Sequence, residues 1–377
     1  MEKIVIVLGN TITALGTLRA CVPLKKKGFA LWLASTTRKD NIAISSNIPD
    51  KKLIFENGLV AGLGDLAKDL SVNPILLFTR DDEVVEVSKH QDELRSSYRF
   101  LLPEASAVDT LMEKVKFSEF AEREKLSVPK TEYVRDEESL LSIDSRIPFP
   151  IIIKPYLMHA VKAGDREELQ SLVKRFAPIN YSSMVAQEYI EGADDQLYFC
   201  FLLFNEGGQL VRSMYARKLR QWPVSYGTTS LAITMENPGL ASAVEQFRKT
   251  VNISGFCSIE YKYDARNDRY LIMEPTIGRF NQQIALSVAS GVNFPMAVVQ
   301  LLSGEKLEEA TQKNGVRWIY ESNDLMSFLR AGSGHGYFGN FFKPHVSVLF
   351  ASNDPNPFFY EVRDMMRKKI NKIFRHV

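Results

Sequence analysis

Two glutamates in the last third of the chain occupy matched positions on strands that a tight turn joins. Glu260 lies in the run SIEYKYD and Glu274 ends the apolar run YLIMEP, so both side chains could face one side of a β-hairpin. Two carboxylates this close repel unless a cation lies between them, and Mg²⁺ accepts one or two protein carboxylates together with water and phosphate oxygens. The pattern therefore indicates a magnesium site. The competing interpretation is that Glu260 points outward to Lys262 or Arg279 and that Glu274 only ends a strand.

A basic cluster leaves another hydrophobic strand in the run YARKLRQWPVSYGTTS. Arg217, Lys218 and Arg220 precede two aromatic residues and a Gly-Thr-Thr-Ser sequence that we predict to be a turn. Arginine side chains and backbone N–H groups are good donors to phosphate or carboxylate. A run of charge is more often a solvated face, but the flanking aromatic and small hydroxyl residues favour an anion-binding site here.

Two weaker patterns lie earlier in the chain. Lys154 ends the apolar run IIIK, where a phosphate would supply a counter-charge, although a solvated lysine is the simpler interpretation. The run AQEYIEG is an extended segment whose backbone could hydrogen-bond a purine edge. The acidic residues that follow, Glu191, Asp194 and Asp195, could then reach a ribose. Each pattern alone is weak evidence for a nucleotide site.

The first hundred residues read as an open α/β domain. Residues 3–8 are an apolar run, a loop then opens a helix that stops at Gly28, and FALWLAS is a second apolar run. Strand, helix and strand in this order predict a βαβ unit and a parallel sheet. Gly9 and Gly16 do not form a GxGxxG fingerprint, so no dinucleotide site is predicted.

Beyond residue 100 the pattern becomes that of an α+β protein. One helical stretch, with Leu111, Phe117 and Ala121 on one side, leads into short strands and a helix. Two antiparallel hairpins follow, turning at residues 206–208 and 265–268. A glycine-rich run and a basic amphipathic helix close the sequence.

Length and composition set the remaining bounds. A chain of 377 residues is too long for one ordinary core, and its 45% hydrophobic and 24% charged residues are typical of a soluble globular protein. The 47 basic and 45 acidic side chains nearly cancel, so no nucleic-acid partner is predicted. The three separated cysteines are interpreted as buried thiols of a cytoplasmic protein, and no apolar run is long enough to span a membrane. We divide the chain into an N-terminal domain (1–100), a two-lobed module (101–305, with a lid lobe of about 115–190) and a C-terminal extension (306–377).

The order of these features resembles that of the ATP-grasp superfamily over about residues 1–300. A small α/β domain comes first, then a lysine in MEKVKF and Lys154, then the QEYIEG segment, the basic strand and the two paired glutamates. The runs RKLRQWP and EPTIGRFN look most like the carboxylate–amine ligase branch found in cell-surface polysaccharide and peptidoglycan biosynthesis. The resemblance implies an N-terminal open parallel α/β domain, a two-lobed ATP-grasp module, and the cofactors ATP and Mg²⁺.

The resemblance also implies a role for each candidate residue. In the implied reaction a carboxylate attacks the γ-phosphorus of ATP, and an amine captures the acyl phosphate under a closed lid. The implied catalytic residues are Arg220, Arg279 and Lys218. The implied ATP-binding residues are Lys114 and Lys154 at the phosphates, Gln187, Glu188, Tyr189 and Ile190 at the adenine, and Asp195 at the ribose. The implied metal ligands are Glu260, Glu274 and Asn281.

Two departures from the family pattern leave alternatives open. Thr276 stands where an asparagine usually coordinates metal, so either Asn281 substitutes for it or the second Mg²⁺ binds weakly. The run after Lys154 lacks a glycine-rich phosphate loop, and Lys162 or His159 would have to take that role. The alternatives are another ATP-grasp chemistry (a carboxylase or thiol ligase), a non-catalytic MgATP-binding regulatory protein, and a glycan-binding module that uses the basic strand alone.

The implied partners are small carboxylate and amine substrates, such as a cell-surface glycan precursor or an amino acid, and a homodimer is left open. The C-terminal run FFYEVRDMMRKKINKIFRHV places apolar residues near one side of a helix and basic residues on much of the rest. Such a helix either lies on an anionic membrane surface or, more often, packs on its own domain. The predicted location is the cytoplasm, with peripheral contact at the inner membrane surface as the alternative.

Overall fold

The N-terminal part of the chain folds into a four-stranded parallel sheet with flanking helices. The computed structural model describes residues 3–37, 42–154, 160–176, 181, 184–224, 227–331, 343 and 345–374. The strand order is β3-β2-β1-β4, and every residue of β1 after the first is buried, as expected of a parallel strand covered on both faces. The predicted parallel sheet is therefore confirmed, although the sequence patterns did not predict β3 or α2. The elements are β1 (Lys3–Leu8), α1 (Ile12–Lys25), β2 (Phe29–Ser35), β3 (Lys51–Ile54), α2 (Leu59–Lys68), β4 (Ile75–Leu77), α3 (Asp81–Lys89) and α4 (Gln91–Leu94).

The helical stretch that follows consists of two helices, α5 (Ala105–Met112) and α6 (Lys114–Arg123), and not of one as the pattern suggested. The break lies at Glu113, whose backbone is extended at φ −87° and ψ 123°. The Glu113 side chain accepts a hydrogen bond from the Lys116 N–H, which caps the start of α6. Lys114 therefore occupies the first position of a helix.

A second sheet of four antiparallel strands, in the order β5-β8-β6-β7, forms a lobe with its own core. Buried residues of this core run from Val134 to Ala186. Phe117 and Ala121 of α6 instead pack in a different core, the one that contains Ile6 and Ile259, so the core of the lobe begins later than residue 115. The elements are β5 (Thr131–Val134), α7 (Glu137–Leu141), β6 (Ile151–Lys154), β7 (Val161–Ala163), α8 (Arg166–Phe176) and β8 (Met184–Glu188).

The largest sheet has seven strands, in the order β13-β12-β9-β10-β11-β14-β15. Its strand β9, LYFCFLLF, is buried at every position because β10 and β12 flank it and both of its faces are covered. Both predicted hairpins are present, as β9–β10 and β12–β13. The elements are β9 (Leu197–Phe204), β10 (Leu210–Trp222), β11 (Thr228–Thr234), α9 (Pro238–Thr250), β12 (Gly255–Asp264), β13 (Arg269–Ile277), α10 (Ile284–Ala289), α11 (Phe294–Leu302), β14 (Arg317–Ile319), α12 (Glu321–Ala331), β15 (Val346–Ser347) and α13 (Asn356–Phe374).

The segment after residue 306 is built into this sheet. β14 pairs with β11, and β15 pairs with β14. On the other side the Arg19 guanidinium of α1 donates to the carbonyl oxygens of Val348 (2.7 Å) and Leu349 (3.0 Å) and pairs with Asp354 at 3.2 Å. Sheet pairing and this buried ion pair thus fix the segment from both ends.

The C-terminal helix α13 is present, and its described part is only partly packed. Phe358 and Tyr360 contact the core that contains Val5 and Phe201, whereas Phe359 is 63% exposed and Met366 is 55% exposed. The glycine-rich run before it lies outside the described residues. Across the described part of the chain, no helix is both long and apolar enough to cross a membrane.

Candidate active site

One cavity of about 1460 Å³ is lined by residues of the sheet β5-β8-β6-β7, by residues of the seven-stranded sheet, and by residues that follow β1 and β4 in the N-terminal domain. It is larger than most small-molecule pockets, so it has room for a nucleotide and a second substrate. The family resemblance gave a catalytic, ATP-binding or metal-binding role to thirteen residues, and the structure places all thirteen on the wall of this cavity. They are Lys114, Lys154, Gln187, Glu188, Tyr189, Ile190, Asp195, Lys218, Arg220, Glu260, Glu274, Arg279 and Asn281.

The two glutamates lie directly opposite each other on adjacent antiparallel strands. The register pairs Glu260 of β12 with Glu274 of β13, with an irregularity just after Glu260. Desolvation in the cleft raises the pKa of Glu274, Lys154 and Lys114 oppose that shift, and Glu260 adds to it. A divalent cation between the two carboxylates would relieve this repulsion, so the donor set suits Mg²⁺.

Glu260 already has a cationic partner. The Lys218 ammonium lies 2.9 Å from its carboxylate, with the Lys218 side chain 3% exposed and that of Glu260 39% exposed. The outward pairing weighed from the sequence, with Lys262 or Arg279, is not the one observed. Lys262 instead donates to the carbonyl oxygen of Gly192 at 2.7 Å.

Two lysines face the glutamates from the other side of the cavity. Lys154 ends β6 of the small sheet, and Lys114 begins α6. Desolvation lowers the pKa of Lys154, and the nearby Glu274 carboxylate opposes that shift. The wall at this point therefore carries two cations suited to a polyphosphate. Lys162 also lines the cavity, whereas His159 lies outside the described residues.

The predicted purine-binding segment follows β8 at the edge of the small sheet. The backbone N–H of Tyr189 donates to the Pro150 carbonyl at 3.1 Å, and the Lys162 ammonium lies 4.1 Å from the centre of the Tyr189 ring. The side-chain nitrogen of Gln187 donates to the Thr131 hydroxyl at 2.9 Å. Its buried side-chain oxygen has no hydrogen-bond partner among the described residues. A buried acceptor in this condition is suited to a ligand N–H donor.

The basic strand separates into residues that face the cavity and one that does not. Lys218 and Arg220 line the cavity, whereas Arg217 does not. The Arg220 guanidinium forms a bidentate pair with Asp324 of α12, at 2.8 and 2.7 Å, and Ser230 donates to the same carboxylate. No sequence pattern pointed to Asp324, which is 104 residues away from its partner.

The prediction of a turn at the Gly-Thr-Thr-Ser sequence is wrong. Thr228 to Ser230 begin strand β11, which pairs with β10, and Gly227, Thr228 and Thr229 line the cavity. Hydrogen bonding to β10 on one side and β14 on the other stabilises a strand here, despite a composition that is typical of turns. Ser225 and Tyr226 lie outside the described residues.

Arg279 reaches helix α3 of the N-terminal domain. It follows Gly278, which has a φ of +80° and whose missing side chain leaves room for Val84 and Leu102. The Arg279 guanidinium then pairs with the Asp81 carboxylate at 2.6 and 3.0 Å. This contact joins the N-terminal sheet to the end of β13.

Asn281 lies beside the paired glutamates, with its amide already engaged. Its nitrogen donates to the Ser258 hydroxyl at 3.1 Å, and its oxygen accepts from the Gln282 N–H at 2.9 Å. Thr276, the departure from the family pattern, lines the cavity on β13. Residues of the N-terminal domain that the sequence did not indicate also line the cavity, among them Thr11 before α1, and Thr79 and Arg80 before α3.

Comparison with known proteins gives one relative in sequence and many in fold. No protein-family model matches the chain. A D-aspartate ligase of Enterococcus faecium (strain Aus0004) is 27% identical over 299 residues, which cover 72% of this chain and 70% of the relative. The biotin carboxylase domain of 2-oxoglutarate carboxylase from Hydrogenobacter thermophilus, solved with MgADP and bicarbonate, matches with a TM-score of 0.66 at 14% identity, over 84% of this chain and 73% of that one. N5-carboxyaminoimidazole synthetase from Staphylococcus aureus, solved with ADP, matches with a TM-score of 0.64 at 14% identity, over 82% and 80% of the two chains.

Proposed function

We propose that this chain, an ATP-grasp protein of the carboxylate–amine ligase type, activates a carboxylate as an acyl phosphate and joins it to an amine. The observation that carries the proposal is the distribution of charge in the cavity. Two opposed carboxylates, Glu260 and Glu274, lie across from Lys114 and Lys154. This arrangement suits a polyphosphate held by lysines on one side and by a cation on the other.

The nucleotide is assigned to the side of the cavity that faces the small sheet. Glu188, Tyr189 and Ile190 would lie against the adenine, where Gln187 offers its unpartnered carbonyl oxygen. Asp195 would reach the ribose. When bound at Glu260 and Glu274, with Asn281 as a third ligand, Mg²⁺ would neutralise charge on the phosphates.

The reaction then needs positioning and charge stabilisation more than a protein nucleophile. A substrate carboxylate oxygen bonds to the γ-phosphorus in line while the bond to ADP breaks, and Lys114 and Lys154 stabilise the charge on the phosphate oxygens. The amine nitrogen next bonds to the acyl carbon and loses a proton, and the bond from that carbon to the phosphate oxygen breaks. Arg220, Arg279 and Lys218 are assigned to the carboxylate and the transferred phosphate.

The similarity to a D-aspartate ligase makes aspartate the first carboxylate to test. Hydroxylamine can replace the unidentified amine, because it converts an acyl phosphate to a hydroxamate. The protein is incubated with MgATP, hydroxylamine and, in turn, D-aspartate, L-aspartate, D-glutamate and a uronic acid, and both ADP and hydroxamate are measured. We expect equal amounts of the two products with an accepted carboxylate.

Two variants give this experiment its control. Glu274→Gln should lower the rate about 100-fold or more, because one of the two carboxylates that would hold Mg²⁺ against the phosphates is lost. Glu245→Gln, an exposed change on α9 paired only with Arg248 and Lys249, should not affect the rate. ATP binding without turnover would favour the regulatory alternative, and ADP release that needs only bicarbonate would favour a carboxylase.

Two further assignments belong to the surface of the molecule. Contact of α13 with an anionic membrane is proposed because Phe359, Val362 and Met366 are exposed at helical spacing, beside Arg363 and Arg367. A homodimer is proposed by analogy with the biotin carboxylase domain, which was solved as a dimer. Sedimentation of the full chain measures its oligomeric state directly.

A further inference from the structure

The ion pair between Arg220 and Asp324 is more buried than the pairs that Lys218 and Arg279 form in the cavity. Asp324 is completely buried, with 0% of its side chain exposed, and the Arg220 side chain is 7% exposed. By contrast, the carboxylates that pair with Lys218 and Arg279 are exposed, at 39% for Glu260 and 57% for Asp81. Those two pairs can exchange a partner for a ligand, whereas Asp324 is enclosed by protein.

Asp324 is held by a segment that is itself firmly attached. α12 carries Asp324, and its first residue, Glu321, accepts hydrogen bonds from the N–H groups of Leu349 and Phe350. Ser230 of β11 donates to Asp324 at 3.2 Å. Ser327, one turn further along α12, lines the cavity and is buried. α12 therefore forms part of the cavity wall at the end where Arg220 lies.

We infer that Asp324 is a positioning residue that fixes the Arg220 guanidinium to receive the carboxylate of the substrate. This inference rests on the proposed function and makes α12 part of the carboxylate site. The ligand that this site would take is a small anion with a carboxylate group. A dicarboxylate is favoured in particular, because Lys218 and Arg279 line the same cavity.

The geometry explains why an enclosed carboxylate would serve this purpose. Asp324 engages Nε and Nη2, which fixes the plane of a guanidinium that carries five N–H donors in all. A fixed plane reduces the entropy that an arginine loses when it binds a second carboxylate. An arginine without Asp324 would be a buried charge lacking its counter-ion, and it would lose this orientation.

The test measures binding without requiring turnover. Wild type, Asp324→Asn, Arg220→Lys and the double variant are titrated by calorimetry with MgADP, and then with D-aspartate and with malonate at saturating MgADP. Asp354→Asn is the matched control, since Asp354 is also fully buried and paired with an arginine, Arg19, outside the cavity. Melting curves of every variant report the loss of stability separately.

We expect Asp324→Asn to weaken binding of both dicarboxylates about tenfold, because an oriented charged hydrogen bond is lost. MgADP affinity should stay within about twofold, and the double variant should be scarcely weaker than Arg220→Lys, since the two residues act as one unit. Asp354→Asn should lower the melting temperature and leave dicarboxylate binding unchanged.

Three results would overturn the inference. One is unchanged dicarboxylate binding in Asp324→Asn, and another is an equal loss of MgADP and dicarboxylate binding, which would indicate a structural role only. The third is failure of the wild type to bind either dicarboxylate. If hydroxamate still forms from another carboxylate in that case, the proposed ligase function stands while this inference fails.

Discussion

At the scale of single residues, desolvation shifts two opposite charges in the cavity in opposite directions. It lowers the pKa of Lys154 and raises that of Glu274, and the attraction between the two groups opposes both shifts. Both residues are therefore easier to neutralise than the same residues in water. A bound polyphosphate and its cation would restore both charges, which couples nucleotide binding to protonation.

This coupling predicts a pH dependence for nucleotide use. Because the pKa of Lys154 is lowered, its ammonium is lost at a lower pH than that of an ordinary lysine, and attraction for the phosphates is lost with it. The ratio kcat/KM for ATP should therefore fall on the alkaline side, and Lys154→Arg should move that fall to higher pH because arginine stays charged. The exposed control Lys68→Arg should leave the pH profile unchanged. If Lys154→Arg also leaves it unchanged, Lys154 does not titrate in this range.

At the scale of secondary structure, the start of α6 connects helix capping to nucleotide binding. Glu113 accepts a hydrogen bond from the Lys116 N–H at 2.8 Å, and Lys114 is the first residue of the turn that this bond caps. Loss of the cap should fray the turn that directs Lys114 toward the cavity.

Glu113→Ala tests this connection. We expect a loss of about 1 kcal/mol in the free energy of unfolding, the usual cost of removing an N-cap, and a MgADP affinity about threefold weaker. Chemical denaturation and calorimetry measure the two quantities. If stability falls and MgADP affinity does not, Lys114 is not held in place by this cap.

The exposed side of α13 makes a second prediction at this scale. Phe359→Glu together with Met366→Glu should reduce binding of the full chain to vesicles of phosphatidylglycerol and phosphatidylcholine about tenfold or more, because two apolar anchors are removed. Ala61→Glu, on the exposed side of α2, is the control for the added charge. Vesicle binding that is absent in the wild type would contradict membrane contact.

Local patterns in the sequence predicted much of this molecule and missed what depends on distant pairing. Alternation and tight turns indicated both hairpins, and hence the opposition of Glu260 and Glu274. β11 was not predicted because its first residues have the composition of a turn, and β14 was not predicted because it has three residues and exists only through pairing with a neighbour. Asp324 was missed for a similar reason, since a single aspartate on a helix carries no local signal of the arginine that it will meet.

At the scale of the whole molecule, the sheet β5-β8-β6-β7 is distinguished by a hydrophobic core of its own. Its buried residues form a cluster separate from the two that span the N-terminal and large sheets. A small independent core opens at lower free energy than a large one, as a lid over a reactive intermediate requires.

Hydrogen exchange should reveal this difference. Amides of β6 and β8 should exchange faster than those of β9 and β12 in the free protein, and MgADP should slow the first pair far more than the second. Mass spectrometry of peptides that span 151–154 and 184–188 reports this directly. Equal protection of the two sheets with and without nucleotide would contradict a lid that closes on the nucleotide.

The central claim is that the substrate carboxylate becomes an acyl phosphate, and oxygen-18 tests it most directly. The full chain is incubated with MgATP, hydroxylamine and a carboxylate that supports turnover, with ¹⁸O in both oxygens of that carboxylate. Because the oxygen that bonds to the γ-phosphorus leaves with it, we predict one ¹⁸O atom in each released phosphate. Hydroxamate accompanied by unlabelled phosphate would contradict the mechanism proposed for this cavity.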